Sequence, residues 1–213
     1  MEVIKIPLIC FFGPDGSGKT TLARTLAKEL KCKGLRVVIS WMRGTHTLAS
    51  LLARFLSRLA PFKGPDNPYY GISIPSSARR IWQLVEFVSM MPILLIKFIL
   101  PCLLGYVVIA ERYLPDFLVW VSLTTRDAGY LKRLEARLAL ILTMKTSVRI
   151  YVTASEAELM RRRGEEVDRE FLSMQLKLYD KVAKLIRARK IDTTRRSVEV
   201  TLSYLLSIIR LEG

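Results

Sequence analysis

The spacing of hydrophobic and polar residues changes period repeatedly along the chain, which predicts strands that alternate with helices. Short apolar runs, typical of strands buried on both faces, predict strands at residues 6–12, 35–41, 106–110 and 148–152, with a brief fifth strand at 190–192. Helical spacing from Lys19, with Gly34 as its C-cap, predicts a first helix after the first strand. Further helices are predicted at residues 47–59, 76–104 (with a break near Pro92), 115–123, 128–142, 155–164, 167–185 and 198–210. Residues 61–75 are rich in Pro and Gly and are predicted to be a loop. The alternation indicates a single α/β domain over residues 1–213, with a five-stranded parallel sheet flanked by helices in three layers.

One apolar stretch, residues 87–109, is long enough to raise the alternative of a membrane span. Lys97 lies in its middle, Pro92 and Pro101 interrupt it, and Gly105 separates off a strand-like ending. We therefore expect a buried or interface helix followed by a core strand, in preference to a transmembrane helix. An apolar helix of this kind favours a homodimer.

The charge balance implies an anionic partner. Thirty-four Lys and Arg residues against nineteen Asp and Glu give a formal net charge of +15. Nucleotide phosphates, nucleic acid and membrane lipid all satisfy that requirement, and the last two are not favoured. Three cysteines without a CxxC pair and a single histidine argue against a clustered metal site and indicate a reducing compartment. With no secretory signal visible at residues 1–7, we expect a cytoplasmic protein. Scarce Asn and Gln beside many charged residues favour a thermophilic source.

The most specific chemical signal is the run from Gly13 to Thr20, which lies between a predicted buried strand and a predicted helix. Its glycines allow successive backbone N–H groups to surround a phosphate at the positive end of that helix. Lys19 would bring a mobile charge to the β and γ phosphates, and the Thr20 hydroxyl would be a Mg²⁺ ligand. The alternative, a glycine-rich turn, leaves Lys19 and Thr20 unexplained.

The segment Phe12-Gly-Pro-Asp-Gly-Ser-Gly-Lys-Thr-Thr21 resembles the opening of the thymidylate-kinase family. The resemblance implies a P-loop kinase fold, with ATP as phosphoryl donor, Mg²⁺ as cofactor and a nucleoside monophosphate as acceptor. It also implies that Asp15 contacts the sugar hydroxyl of the acceptor, although an aspartate after Pro14 is also an ordinary turn former. The residues implied to bind ATP here are Gly13, Pro14, Asp15, Gly16, Ser17, Gly18, Lys19, Thr20 and Thr21.

A second segment, Gly105-Tyr-Val-Val-Ile-Ala-Glu-Arg-Tyr113, resembles the third strand of that family, which ends in Asp-Arg-Tyr. The resemblance implies that Arg112 clamps the acceptor phosphate with its planar fork. Glu111 replaces the family's aspartate and would reach the metal either directly or through water, with Asp116 as a rival for that role. A surface salt bridge is the alternative, but ligands bind at the carboxyl edge of such sheets.

Residues 159–170 resemble the arginine-rich lid of the family, which gives a lid segment at about 155–170. The resemblance implies that Arg161, Arg162 or Arg163 is catalytic without indicating which, because charge spreading over the transferred phosphoryl group needs a cation. A solvated basic helix end is the alternative. Arg195 follows the last predicted strand, where the family encloses adenine, so it is expected to bind ATP.

The resemblance is poor at the acceptor site. The family's Arg-Glu-Pro-Gly motif is replaced by Trp41-Met-Arg-Gly-Thr45, so only Arg43 carries over as an acceptor contact. The family's base-reading arginine falls near Met90, and Arg79 and Arg80 lie about 15 Å away along a helix. The sequence therefore predicts an ATP-dependent kinase of a nucleoside monophosphate. The alternatives are a P-loop kinase of another small molecule and a non-catalytic nucleotide-binding protein associated with membrane or nucleic acid.

Overall fold

A five-stranded sheet forms the centre of the computed structural model, which describes residues 8–42, 47–67, 71–164 and 168–212. Its strands are β1 (Leu8–Phe12), β2 (Val37–Ser40), β4 (Val107–Glu111), β5 (Val148–Thr153) and β6 (Arg189–Asp192), in the order β2-β4-β1-β5-β6. Every neighbouring pair is parallel, so the predicted five-stranded parallel sheet is confirmed. A further strand, β3 (Lys63–Asn67), lies outside this sheet and forms antiparallel bridges with Ile72.

Helices cover both faces of the sheet. In chain order they are α1 (Lys19–Cys32), α2 (Leu48–Leu56), α3 (Arg79–Leu94), α4 (Leu100–Leu103), α5 (Leu114–Thr124), α6 (Leu134–Met144), α7 (Glu156–Arg163), α8 (Arg169–Leu185) and α9 (Val198–Glu212). Helices α1 and α9 pack on one face, and α3, α5, α6 and α8 contribute to the core on the other. The result is the three-layer α/β arrangement that the alternating pattern predicts.

The apolar run of β1 is explained by burial on both faces. Ile9 and Phe11 pack toward α1 and α9, whereas Cys10 and Phe12 point into the opposite core, because successive strand residues face opposite sides. On that second side the Phe12 ring stacks on Tyr151, with ring centroids 5.4 Å apart. Burial of this kind stabilises the fold by roughly 1.5–3 kcal/mol for each large apolar side chain.

Two predicted boundaries were wrong. Residues 61–75 are not a plain loop, because β3 turns back and pairs through Ile72, whose side chain is buried against α2 and α3. The helix predicted at 128–142 begins only at Leu134. A 3₁₀ turn (Tyr130–Lys132) precedes it, after the Asp127 carboxylate accepts a hydrogen bond from the Gly129 N–H.

The helix predicted at 76–104 is not broken at Pro92. It continues from Arg79 to Leu103 through a π-helical segment (Leu95–Ile99) that joins α3 to α4. Proline lacks the N–H needed for the regular ladder, and a local widening of the helix accommodates the change. This 25-residue helix is the one described helix long and apolar enough to cross a membrane, and 28% of its most apolar window is buried. Its length and composition alone are weak evidence of a span.

The sheet brings two motifs to one edge. In the β1–β4 pairing, Phe11 lies opposite Glu111, so the segments after both residues leave the sheet side by side. The Gly13–Thr20 loop and the Glu111–Arg112–Tyr113 segment therefore meet at the carboxyl edge, where ligands bind in parallel α/β sheets.

Candidate active site

The loop after β1 forms a cradle that requires glycine at particular positions. A Cβ atom on Gly13 would lie 2.0 Å from the Val152 carbonyl oxygen, so no side chain fits there. Gly18 adopts a φ of 89° as the N-cap of α1, a conformation that glycine takes without strain. The first turn of α1 contains no acidic residue, so the positive end of this helix is open to an anion.

The Lys19 side chain is held inside this loop. It is 4% exposed, and its Nζ donates hydrogen bonds to the Pro14 carbonyl oxygen at 2.5 Å and to Ser17 Oγ at 3.2 Å. A buried ammonium group retained by loop oxygens is placed to meet an anion in the cradle.

Thr20 and Glu111 bring two oxygen donors together beside the loop. The Thr20 hydroxyl donates a hydrogen bond to Glu111 Oε1, which joins the first turn of α1 to the end of β4. Among the described residues, no three His, Cys, Asp or Glu side chains cluster as a metal cage. A hydroxyl beside one carboxylate nevertheless fits Mg²⁺, which takes one or two protein ligands and completes its shell with phosphate and water.

Arg112 leaves β4 in a strained conformation with φ 75°, which is uncommon for a residue with a side chain. Its backbone N–H donates to the Phe11 carbonyl oxygen at 3.0 Å, which fixes the turn against β1. The guanidinium forms ion pairs with Asp15, through Nη2, and with Asp116 Oδ1, 3.4 Å from Nη1. The phosphate loop and the β4 motif are thus joined through one arginine.

Asp116 is buried and holds this junction. Its Oδ1 accepts hydrogen bonds from the Gly13 N–H at 3.3 Å and the Tyr179 hydroxyl at 2.8 Å, and its Oδ2 accepts from the Tyr113 N–H at 3.2 Å. Burial and the nearby Asp116 charge raise the pKa of Tyr179, so its hydroxyl stays a donor. With both oxygens engaged, Asp116 is less suited than Glu111 to a metal.

The three consecutive arginines of α7 face different partners. Arg161 pairs with Glu158 at 2.7 Å and is largely exposed. Arg162 also bonds Glu158, but its guanidinium donates to the Gly16 carbonyl oxygen at 3.0 Å and to the Thr193 carbonyl oxygen at 3.0 Å. Hydrogen bonds from both arginines lower the pKa of Glu158 to about 2. Arg162 therefore connects α7 to the phosphate loop.

Arg163 also packs close to the loop. A Cβ atom on Gly16 would lie 3.2 Å from Arg163 Cγ and 3.6 Å from Arg162 Cβ. The absence of a side chain at Gly16 therefore gives the α7 arginines room to approach the loop.

These groups surround a cavity of about 940 Å³. The charged side chains on its wall are Asp15, Lys19, Arg24, Glu111, Arg112, Arg162 and Arg196. Five cations against two carboxylates give the wall an excess of positive charge, so the cavity is suited to an anionic ligand.

Some predicted site residues do not line this cavity. Arg161 and Arg195 are exposed and are absent from its wall, and Arg43 lies outside the described residues. Arg196, which the sequence analysis did not single out, lines the cavity in place of its neighbour Arg195 and lies over the Tyr204 ring at 5.8 Å. The signal available in the sequence was that both arginines follow β6, and it does not indicate which of the two lines the cavity.

Helix α3 has no arginine at the position where the family's base-reading arginine was expected, and it carries a buried glutamate instead. Met90 is fully buried in the core, so it cannot replace a base-reading arginine, and Arg80 is ion-paired with Glu135. Glu86, which the sequence analysis also missed, is 2% exposed within the helix. Burial raises its pKa to about 8, against a smaller lowering effect of the neighbouring Trp82 and Trp120 side chains. It is the single acidic residue between 76 and 104, and that was the signal available.

One family model matches most of the chain. A family model described as thymidylate kinase matches residues 11–203, which is most of the chain. A solved structure of thymidylate kinase from Ehrlichia chaffeensis is similar with a TM-score of 0.56 and 18% identity, over 95% of this chain and 97% of that one. At that identity the likeness shows the fold.

One curated protein is similar over a short segment. Lon protease from Heliobacterium modesticaldum is 45% identical over 42 residues, which is 20% of this chain and only 5% of that protein. A match of this length concerns a local segment and says nothing of the larger protein's activity here.

Proposed function

This chain belongs to the thymidylate kinase family, and from that premise we propose that it transfers the γ-phosphoryl group of ATP to a nucleoside monophosphate, making a nucleoside diphosphate. The observation that carries the proposal is the joining of two motifs at one sheet edge. Arg112 pairs with Asp15 of the phosphate loop and with Asp116, which also accepts a hydrogen bond from the Gly13 N–H, and these contacts lie beside a cationic cavity.

Residues 13–21 and the α7 arginines would bind the donor. The loop amides at the start of α1 surround its phosphates, and Lys19 brings a positive charge to the β and γ groups. Among the lid arginines we favour Arg162, since it lines the cavity and contacts the loop. Arg195 and Arg196 follow β6 and would lie beside the adenine.

Thr20 and Glu111 would hold Mg²⁺, which would supply positive charge that offsets the charge of the donor phosphates. The hydrogen bond between the Thr20 hydroxyl and the Glu111 carboxylate supports this assignment, because it brings both oxygens close enough to bind the same ion. Glu111 stands where the family has an aspartate, and its side chain, longer by one methylene, still reaches the Thr20 hydroxyl.

Asp15 and Arg112 would bind the acceptor. Arg112 would hold its phosphate in line with the γ-phosphoryl group, and Asp15 would accept a hydrogen bond from its sugar. The chain then acts by positioning and by stabilising charge, with no covalent intermediate, while the lid at residues 155–170 excludes water. Arg43 remains a predicted further contact.

A second candidate is a nucleotide-binding protein associated with a membrane or nucleic acid. The observation that favours it is the apolar exposed surface of the Arg79–Leu103 helix in a chain of net charge +15. A kinase of another small molecule on the same single-domain scaffold is a further alternative. Cytoplasmic location also remains a prediction.

Turnover across a panel of acceptors tests the proposed function. With ATP and Mg²⁺, we expect ADP release that depends on a nucleoside monophosphate and exceeds the rate with free nucleosides or sugars at least tenfold, because Arg112 binds a phosphate already present on the acceptor. Salt-dependent binding to DNA or anionic vesicles without any turnover would support the second candidate instead.

We expect the chain to form a homodimer through its long apolar helix. Ile81, Val88 and Ile96 on that helix, with Leu51 and Phe55 on α2, are all at least 60% exposed, and such a surface is rarely left in water. Sedimentation should give about twice the 24.4 kDa chain mass.

A charge on this face should separate the subunits. Val88→Glu is expected to give a monomer, whereas Leu134→Glu, at a 71% exposed residue on α6, should leave the dimer intact. A wild-type chain that sediments as a monomer would contradict the prediction, and its recovery with vesicles would point to the membrane alternative.

A further inference from the structure

The segment just after β6 fastens α7 at both of its ends. Helix α7 begins after Ser155, whose backbone N–H donates a hydrogen bond to Thr194 Oγ1 at 2.8 Å. In the last turn of α7, Arg162 Nη1 donates to Thr193 Oγ1 at 3.1 Å, and Arg162 Nη2 donates to the Thr193 carbonyl oxygen at 3.0 Å. Two consecutive threonines therefore hold the arginine-bearing helix against the end of the sheet.

The Thr193 hydroxyl also contacts the phosphate loop. Its Oγ1 lies 3.0 Å from the Ser17 carbonyl oxygen and 3.1 Å from the Thr153 carbonyl oxygen, and either oxygen can accept its single hydrogen. The Thr153 carbonyl oxygen has another donor, the Thr193 N–H at 2.8 Å. The hydroxyl is thus able to donate to Ser17 while its lone pairs accept from Arg162. One oxygen atom then joins the loop to the arginine.

This oxygen is shielded from water although it lies at the site. Thr193 is 8% exposed and Ser17 is fully buried, so solvent does not replace a partner that either of them loses. Thr193 also lines the 940 Å³ cavity together with Lys19 and Arg162. The contact therefore belongs to the wall of the proposed site.

The same contacts direct the Arg162 guanidinium. Its Nε donates to Glu158 Oε1 at 2.8 Å, Nη1 donates to the Gly16 carbonyl oxygen and to Thr193 Oγ1, and Nη2 donates to the Thr193 carbonyl oxygen. Four hydrogen bonds from one planar group fix both its position and its tilt. A cation held in this way needs little rearrangement when negative charge develops beside it, which is the condition for electrostatic catalysis.

We propose that Thr193 is a positioning residue, which fixes the Arg162 guanidinium over the phosphate loop through its hydroxyl. Arg162 is then held in place by the protein's own atoms and does not have to arrive with a moving lid. This inference rests on the proposed function, in which Arg162 stabilises charge on the transferred phosphoryl group. Thr193 itself acts through Arg162 and needs no contact with ATP.

A purely structural role for Thr193 makes different predictions. If the hydroxyl only supported the loop, its removal would weaken ATP binding and lower the unfolding temperature. The size of those effects would not depend on whether Arg162 is present. A positioning role affects the transition state instead, and it disappears when Arg162 is absent.

The first test removes the hydroxyl and keeps the shape of the side chain. Thr193→Val should lower kcat about tenfold and change the KM for ATP less than threefold, because a small displacement of a cation matters most in the transition state. Thr193→Ser retains the hydroxyl and should keep at least half of the wild-type kcat. Thr153→Val is the matched control, since it removes a neighbouring buried hydroxyl, which donates to the Ala154 carbonyl oxygen, and should leave kcat unchanged.

A double-mutant cycle shows whether Thr193 acts through Arg162. Arg162→Ala alone should lower kcat at least a hundredfold, and adding Thr193→Val should then change kcat less than twofold. In an Arg24→Ala chain, which loses a different arginine of the cavity wall, Thr193→Val should still cost about tenfold. Losses from Arg162→Ala and Thr193→Val that simply multiply would overturn the inference.

Hydrogen exchange separates this inference from the proposed function, because it requires no turnover. The amides of α7 should exchange about tenfold faster in Thr193→Val, and at the wild-type rate in Thr193→Ser and Thr153→Val. If that pattern is found but the wild-type chain transfers no phosphoryl group, the kinase proposal fails while the positioning of Arg162 stands.

Three results would contradict the role of Thr193. They are unchanged exchange of α7 in Thr193→Val, a Thr193→Ser chain that behaves like Thr193→Val, and an active Thr193→Val chain with the wild-type kcat. Thermal unfolding of each variant identifies any loss that comes from misfolding, and Thr193→Ala provides a second chain without the hydroxyl if valine disturbs the fold.

Discussion

Lys19→Ala is expected to leave the fold intact and to lower phosphoryl transfer by about 10²–10³-fold. The Lys19 ammonium is held by the Pro14 carbonyl oxygen and the Ser17 hydroxyl, inside the cradle where the donor phosphates would lie. Its charge offsets the negative charge on the β and γ phosphates as the bond to the leaving group lengthens. The hydrophobic face of α1, which includes Leu22 and Leu26, is untouched by the change.

Lys28→Ala is the matched control, because it removes an exposed lysine about two and a half turns further along α1. Thermal unfolding and ADP release should be measured on both variants, together with Lys19→Met, which preserves the buried volume. A folded Lys19→Ala chain with near-normal turnover would contradict the assignment of the phosphate loop. A similar loss of turnover in Lys28→Ala would show that activity depends on the net positive charge of the protein and not on a lysine at position 19.

The central strands of the sheet, β1, β4 and β5, could be predicted because they are buried on both faces. In β1, Ile9 and Phe11 enter one core and Cys10 and Phe12 the other, so the sequence shows a continuous apolar run. Strand β3 could not be predicted in the same way. Its residues, Lys63–Asn67, include glycine, proline and aspartate and only Asn67 is buried, so its pairing with Ile72 depends on a tertiary contact.

The site was partly predictable, since its backbone motifs are local. Lys19 and Thr20 lie within one loop, and the parallel register of β1 and β4 brings Glu111 to Thr20. Contacts between distant segments were not predictable. Tyr179 meets Asp116 across 63 residues, and no local pattern connects a tyrosine on an amphipathic helix with a carboxylate on another.

The same reason explains why the α7 arginines could not be told apart. Consecutive helix residues point in directions about 100° apart, and the sequence does not say which direction faces the loop. The structure has Arg162 on the Gly16 carbonyl oxygen and Arg161 on Glu158. Helical phase relative to a distant loop is a tertiary property.

Arg112→Ala is expected to raise the KM of the acceptor and to lower kcat, while ATP affinity measured without acceptor changes little. The total loss in kcat/KM should be on the order of 2–4 kcal/mol, because a charged and partly buried contact to a phosphate is removed. Arg112→Lys keeps the charge but loses the planar fork, so it should recover only part of the activity.

Arg126→Ala is the matched control, since Arg126 also pairs with a mostly buried aspartate, Asp66, but does not line the cavity. If the loss in Arg112→Ala came only from releasing Asp15 and Asp116, unfolding temperature and ATP affinity would fall together with turnover. An acceptor-specific loss, with the unfolding temperature and the ATP affinity unchanged, would separate phosphate recognition from structural support.

The nature of the acceptor decides the size of this effect. If the true acceptor is an uncharged alcohol, Arg112→Ala has little effect and monophosphates fail to turn over. Equal rates with dTMP and dUMP would show that the acceptor site does not distinguish thymine from uracil and would leave the kinase proposal standing, since the two bases differ only in a methyl group.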